Sequence, residues 1–168
     1  RYAPVMSLVR QIVEFKGIVQ GVGFRPAIHR LATRARLTGW IQNRSGSVRA
    51  AFEGDPAKIA AFISQLPSSL PTPAKIEAVA TLSIEENIAS NVKSATFTIL
   101  ESENDPSLDL VVPADLAMCD DCKREIFNPS DRRHGYPFTT CTLCGPRYSV
   151  ITGMPYDRVR TTMGAFPL

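Results

Sequence analysis

Apolar and polar positions partly alternate along residues 11–19 (Gln-Ile-Val-Glu-Phe-Lys-Gly-Ile-Val), a β-rich run that predicts a strand. The interval then changes. Phe24, Ala27, Ile28, Leu31, Ala32 and Ala35 recur at helical spacing on one stripe, with Pro26 in the first turn, where a missing N–H removes no helical bond. Residues 37–43 read as a second strand, Arg44-Ser45-Gly46 as a tight turn, and residues 47–53 as a third strand alternating Val48, Ala50 and Phe52. Asp55-Pro56 opens a second helix with Ile59, Phe62, Ile63 and Leu66 on one face, and Pro67 is expected to stop it. Alternation returns at Ile76, Ala78, Ala80, Leu82 and Ile84, a fourth strand, and residues 95–100 form a short fifth. The order β-α-β-β-α-β is the ferredoxin-like α+β arrangement, with two helices over one face of an antiparallel sheet.

The pattern ends near residue 100. Residues 101–112 begin as an acidic linker (Glu-Ser-Glu-Asn-Asp-Pro-Ser-Leu-Asp), and residues 113–168 carry all four cysteines. Residues 1–10 are set aside as an appended segment, and residues 11–100 make the first domain. Net charge is +3, but it is unevenly placed: residues 1–100 hold 12 Lys/Arg against 6 Asp/Glu, while residues 101–168 hold 7 against 10. No acid interrupts the chain between Phe15 and Phe52, a field that attracts a small anion or a nucleic acid. The longest apolar run, Ile59-Ala60-Ala61-Phe62-Ile63, is far short of a membrane span, and no signal peptide is evident. A soluble, cytoplasmic chain is expected.

Between the first strand and helix stands Gln20-Gly21-Val22-Gly23-Phe24-Arg25. Glycines let backbone N–H groups approach an anion at a helix N-terminus, and an arginine adds a planar fork suited to phosphate. The nucleotide-binding loops do not fit: a Rossmann fingerprint needs glycine where Pro26 stands, and the P-loop ending Gly-Lys-Ser/Thr is absent. Loop geometry alone leaves both an anion site and a tight turn with a solvated arginine open. Gly17-Ile18-Val19-Gln20-Gly21-Val22-Gly23-Phe24-Arg25, followed by Gly39-Trp40-Ile41-Gln42-Asn43, resembles the two signatures of the acylphosphatase family. That resemblance implies that Arg25 clamps phosphate, Asn43 orients the attacking water, and the backbone of Gln20, Gly21, Val22, Gly23, Phe24 and Arg25 cradles the anion. It implies no metal for hydrolysis. His29 reads as a boundary residue, Arg30, Arg34 and Arg36 as a solvated helix face, and Trp40 and Phe52 as core.

Cys119-x2-Cys122 and Cys141-x2-Cys144 are spaced as two pairs of ligands to one structural zinc, since four thiolates close a tetrahedral shell. A disulfide framework needs an oxidising compartment, for which nothing in the sequence argues. His134, between the pairs, is expected at the surface. Val112-Pro113-Ala114-Asp115, Cys141-x2-Cys144-Gly145-Pro146-Arg147 and Met154-Pro155-Tyr156-Asp157-Arg158 resemble the HypF family, the carbamoyltransferases of NiFe-hydrogenase maturation.

The second resemblance implies a larger protein. Its acylphosphatase part hydrolyses carbamoyl phosphate to carbamate, ATP is used in downstream domains, and the carbamoyl group passes to the C-terminal cysteine of the partner HypE as the cyanide-ligand precursor. The chain is then expected to be an N-terminal fragment that stops where a second block of cysteine pairs would begin. In that case the pairs need not combine in chain order, and Cys119/Cys122 and Cys141/Cys144 are either one whole zinc site or two half-sites. The first region is expected to fold and act without metal. Two other readings stay open: a general acylphosphatase fused to a structural zinc module, and a nucleic-acid-binding ferredoxin-like domain with a zinc ribbon. The latter is disfavoured because Val48-Arg49-Ala50-Ala51-Phe52 offers no base-stacking platform.

Overall fold

A computed structural model of the chain describes residues 8–88, 95–103 and 112–166. Alternation becomes β1 (Val9–Ile18), and the helical stripe becomes α1 (Phe24–Arg34). There follow β2 (Thr38–Arg44), β3 (Ser47–Gly54), α2 (Pro56–Ser69), β4 (Lys75–Glu85) and β5 (Phe97–Ile99). The sheet order is β4-β1-β3-β2-β5. β1 lies between β3 and β4 and, like β2 beside β3, runs antiparallel to its neighbours. β5 runs parallel to β2, so the sheet is mixed rather than wholly antiparallel.

Both helices turn their apolar stripes onto one core. Phe24, Ile28 and Ala32 of α1 meet Ile59, Phe62 and Leu66 of α2 over Val13, Phe15, Ile41, Val48, Ala50 and Phe52 of the sheet. Phe15 and Phe24 meet edge to face at 5.5 Å, which fixes the start of α1 against the middle of the sheet.

Three further expectations are corrected. β1 begins at Val9, inside the segment set aside, because Arg10 is buried and bonds Glu53 of β3 at 2.6 Å and Glu85 of β4 at 2.7 Å. Pro67 does not stop α2, which continues to Ser69. So near the C-terminus a proline removes a single helical N–H, and the Ser68 and Ser69 hydroxyls donate back to the Gln65 carbonyl. Trp40 is half-buried and lies outside the core cluster, whereas Phe52 is fully buried. The alternating face of β4 is exposed, with Ile84 at 58%. Alternation identified the strand; its edge position decided its burial.

Residues 100–103 do not leave the sheet at once. Leu100 N–H donates to the Ile41 carbonyl and Glu103 N–H to the Asn43 carbonyl, both at 2.9 Å, so the first part of the expected linker follows β2. The rest of that linker, residues 104–111, lies outside the described residues. In the cysteine region the regular helix is α3 (Asp120–Phe127), which the sequence reading did not foresee. It starts one residue after Cys119, with Asp120 and Asp121 in its first turn, where the helix dipole favours negative charge.

Candidate functional site

The register puts the two signature elements at one end of the sheet. Val48 of β3 pairs with Asn43 on one side and Phe15 on the other, so Asn43 sits beside the end of β1, where the chain enters residues 19–23. In that loop, odd and even positions diverge. Val22 and Phe24 bury their side chains in the core, while Gly21 and Gly23 adopt positive φ of 67° and 73° and turn toward the cysteine region. A side chain at either glycine has no room. A Cβ on Gly23 would lie 2.7 Å from Leu143 Cδ2, and one on Gly21 would lie 3.2 Å from the Tyr156 ring. The backbone N–H groups of residues 21–25 make no hydrogen bond among the described residues. Together with the N-terminus of α1 they form a set of donors fit for an anion.

Arg25 stands in the first turn of α1, its side chain largely buried. Its Nη2 donates to Asp157 Oδ1 at 3.0 Å and to the Tyr156 carbonyl at 3.4 Å, and its Nη1 to Ser102 Oγ at 3.3 Å. Asn43 is fully buried; its Nδ2 donates to the same Tyr156 carbonyl at 3.2 Å, and its Oδ1 has no hydrogen-bond partner among the described residues. Gln20 completes the group. Its Nε2 donates to the carbonyls of Arg44 and Ser47, the latter at 2.7 Å, and its Oε1 accepts from Tyr156 N–H at 3.0 Å. The fold therefore brings Gln20, Arg25 and Asn43 together around the backbone of one residue, Tyr156, whose N–H meets Gln20 and whose carbonyl meets Arg25 and Asn43. A cavity of about 940 Å³ opens between the loop (Gln20, Gly21, Gly23, Arg25) and the cysteine region (Thr142, Tyr156).

Tyr156, Asp157, Arg147 and Ser102 were not foreseen as neighbours of this site. The first three stood in motifs the sequence reading singled out, but no spacing rule carries a residue across 131 positions to Arg25. His29 is half-buried with its ring 6.3 Å from that of Phe97, and His134 is exposed, away from the cysteines' sulfur cluster.

All four cysteines meet. Their Sγ atoms lie within 4.8 Å of one another. The Cys119–Cys141, Cys141–Cys144 and Cys144–Cys122 separations are 3.8, 3.7 and 3.6 Å. A tetrahedron with Zn–S bonds of about 2.3 Å has edges of about 3.8 Å, so this donor set fits a closed zinc site made within the chain. No disulfide joins them. Burial, then hydrogen bonds among the sulfurs, pushes the Cys122 thiol well up. Burial also acts to raise Cys144, but hydrogen bonds from the backbone of Cys141 and Cys119 and from the side chains of Cys122 and Cys119 together draw that thiol down to about 7. A cation is what lets all four ionise together.

A ferredoxin-like sheet with a glycine loop, a largely buried arginine and a buried asparagine at one end is the arrangement of an acylphosphatase-type hydrolase, here joined to a four-cysteine finger. The chain belongs to the acylphosphatase family, which residues 11–99 match, and residues 118–151 match the HypF finger. It is 42% identical over 154 residues to the carbamoyltransferase HypF of Synechocystis sp., covering 92% of this chain and 19% of that protein. An acylphosphatase of Moorella thermoacetica is 46% identical over 61 residues, covering 36% of this chain and 66% of that protein. A crystal structure of full-length HypF in a phosphate- and nucleotide-bound form superimposes with a TM-score of 0.83 at 36% identity, covering 95% of this chain and 20% of that one. The chain spans about a fifth of the length of the HypF proteins it matches. Among the described residues, no helix is long and apolar enough to cross a membrane.

Proposed function

We propose that this chain hydrolyses carbamoyl phosphate to carbamate and phosphate as the acylphosphatase part of a HypF-type carbamoyltransferase. Arg25 and the N–H groups of residues 21–25 hold the phosphoryl group. Asn43 Oδ1 accepts a hydrogen bond from the attacking water. The water oxygen bonds phosphorus, the bond from phosphorus to the carbamoyl oxygen breaks, carbamate departs as the anion, and the water's two protons stay on the oxygens of the dihydrogen phosphate formed. Carbamate is a good leaving group, so fixed donors and a held water supply the acceleration without a strong base. The observation that carries this reading is the convergence of Arg25 and Asn43 on one point beside unpaired loop N–H groups.

Likeness to HypF across both regions favours the carbamoyl substrate over a general acyl phosphate. In that reading ATP and the carbamoyl acceptor HypE act with other parts of the larger protein. Zinc on Cys119, Cys122, Cys141 and Cys144 would be structural, holding the finger against the loop. The boundaries proposed are residues 9–100 for the hydrolase, which takes in the start of β1, 101–112 for the linker and 113–168 for the finger. Phosphate release from carbamoyl and acetyl phosphate tests the reading. Turnover of carbamoyl phosphate, lost in Arg25→Ala, is expected; no turnover of either substrate overturns it.

A further inference from the structure

We infer that Tyr156 and Asp157 of the finger region are positioning residues for the hydrolytic site, acting through Asn43 and Arg25; this rests on the reading of those two side chains given above. The segment is anchored independently of them. Tyr156 N–H donates to Gln20 Oε1 at 3.0 Å, and its ring packs over Gly21, where even a methyl group would crowd it. The Tyr156 carbonyl is thereby a fixed acceptor.

That fixed acceptor sets the asparagine. An amide with Nδ2 committed to the Tyr156 carbonyl turns its Oδ1 the other way, and Oδ1 is the buried atom left without a partner. Were the amide reversed, two oxygens would face each other and Nδ2 would point where a water has to donate. Asp157 sets the arginine in the same manner. Of the five N–H donors a guanidinium carries, those engaged go to Asp157, the Tyr156 carbonyl and Ser102. The remainder stay available for phosphate oxygens. A long flexible side chain is thus held in one orientation before the anion arrives, which lowers the ordering cost of binding and of the transition state.

The same contacts suit a blocking strap, since an acceptor on Arg25 and Asn43 competes with phosphate. The cavity argues for positioning: about 940 Å³ remains open beside Gln20, Gly21 and Arg25, with Tyr156 as one wall.

The 168-residue zinc-loaded chain and its Asp157→Ala and Asp157→Asn variants decide the matter. Asp157 is partly exposed, so the variants are expected to keep wild-type zinc content and circular dichroism. Positioning predicts that Asp157→Ala lowers kcat for carbamoyl phosphate about tenfold or more, with KM changing much less and inorganic phosphate inhibiting no more tightly. Asp157→Asn keeps an acceptor oxygen in place and is expected to restore part of the loss. An Ala variant with raised kcat/KM and tighter phosphate inhibition would show a blocking strap and overturn the inference. Unchanged kcat, or no restoration by Asn, overturns it as well. A wild-type chain without turnover overturns the reading of the site itself, which separates that failure from this one.

Discussion

The guanidinium of Arg147, buried in the finger, donates its Nε to the carbonyl of Gly21 in the glycine loop proposed to bind the anion. Its other nitrogens bond the carbonyls of Gly145 at 2.8 Å and Thr142 at 3.3 Å, on either side of Cys144. Among the described residues this cation has no carboxylate partner; three backbone oxygens hold it. A loop can bind an anion only if its carbonyls are turned away, and Arg147 supplies the place to turn one of them. Asp115 fixes the Arg147 backbone from the other side by accepting its N–H at 2.8 Å. That carboxyl is held below its usual range by its hydrogen bonds to Ser149, then Arg147.

Arg147→Met is accordingly expected to damage both stability and anion binding. It takes the side-chain donor from the Gly21 and Thr142 carbonyls, while that of Gly145 keeps the Leu116 N–H, and costs about 1–3 kcal/mol for a carbonyl left buried and unsatisfied. Thermal unfolding should show a melting temperature lower by on the order of 10 °C. Inorganic phosphate should inhibit the folded variant more weakly than the wild type. Unaltered phosphate inhibition in a destabilised variant would confine Arg147 to holding the fold together.

Arg25→Ala is expected to remove detectable acyl-phosphate hydrolysis and phosphate inhibition while leaving the circular dichroism spectrum unchanged. The side chain lies at the cavity and outside the apolar core, so its loss opens no void there. Arg25→Lys should also fail, because a point charge cannot engage Asp157 and phosphate at once from one planar group. Wild-type turnover in either variant contradicts the assignment.

Asn43→Ala separates binding from chemistry. Orientation of water matters in the transition state and little in the ground state, so kcat should fall by about a hundredfold or more while phosphate inhibition changes only a few-fold. Parallel loss of both would make Asn43 a binding residue. Because Asn43 is fully buried, Asn43→Asp serves as a second, nearly isosteric probe that keeps an oxygen and loses the Nδ2 donor to Tyr156.

Much of the sheet was readable because most of its elements bury one face, and burial imprints a period on the sequence; β4, exposed along nearly all its length, keeps the alternation without the burial. Gly21, Gly23, Arg25 and Asn43 were readable for another reason: each belongs to a short contiguous motif. Arg147, Tyr156 and Asp157 reach the same place through tertiary packing, and nothing in their local sequence says which loop they touch. The expectation that residues 13–100 fold and hydrolyse acyl phosphate without metal took no account of this packing, for the same cause. Leu143 lies against Gly23 and Tyr156 against Gly21, so the finger forms one wall of the site. Pro67 shows the reverse failure, a local rule applied where the neighbouring serines and the end of the helix made it weak.

Metal removal should therefore reach the anion loop. Cys141 and Cys144 bracket Thr142 and Leu143, and Gly145 follows directly, so the turn whose cysteines would hold the metal carries two of the three carbonyls that hold Arg147. Without a cation the thiols cannot all ionise, and burial keeps Cys122 protonated at neutral pH. Zinc uptake then releases protons, and affinity should rise with pH; above about 7 the gain per pH unit should lessen as Cys144 becomes thiolate unaided. Metal analysis is expected to give one zinc per chain. Chelation at pH 7 should weaken phosphate inhibition and make residues 113–166 protease-sensitive, with re-addition of zinc restoring both. Cys144→Ser should behave like the chelated wild type. A chelated chain that binds phosphate as before would show that the cradle keeps its shape without the finger, and that Arg147 holds Gly21 whether or not metal is bound.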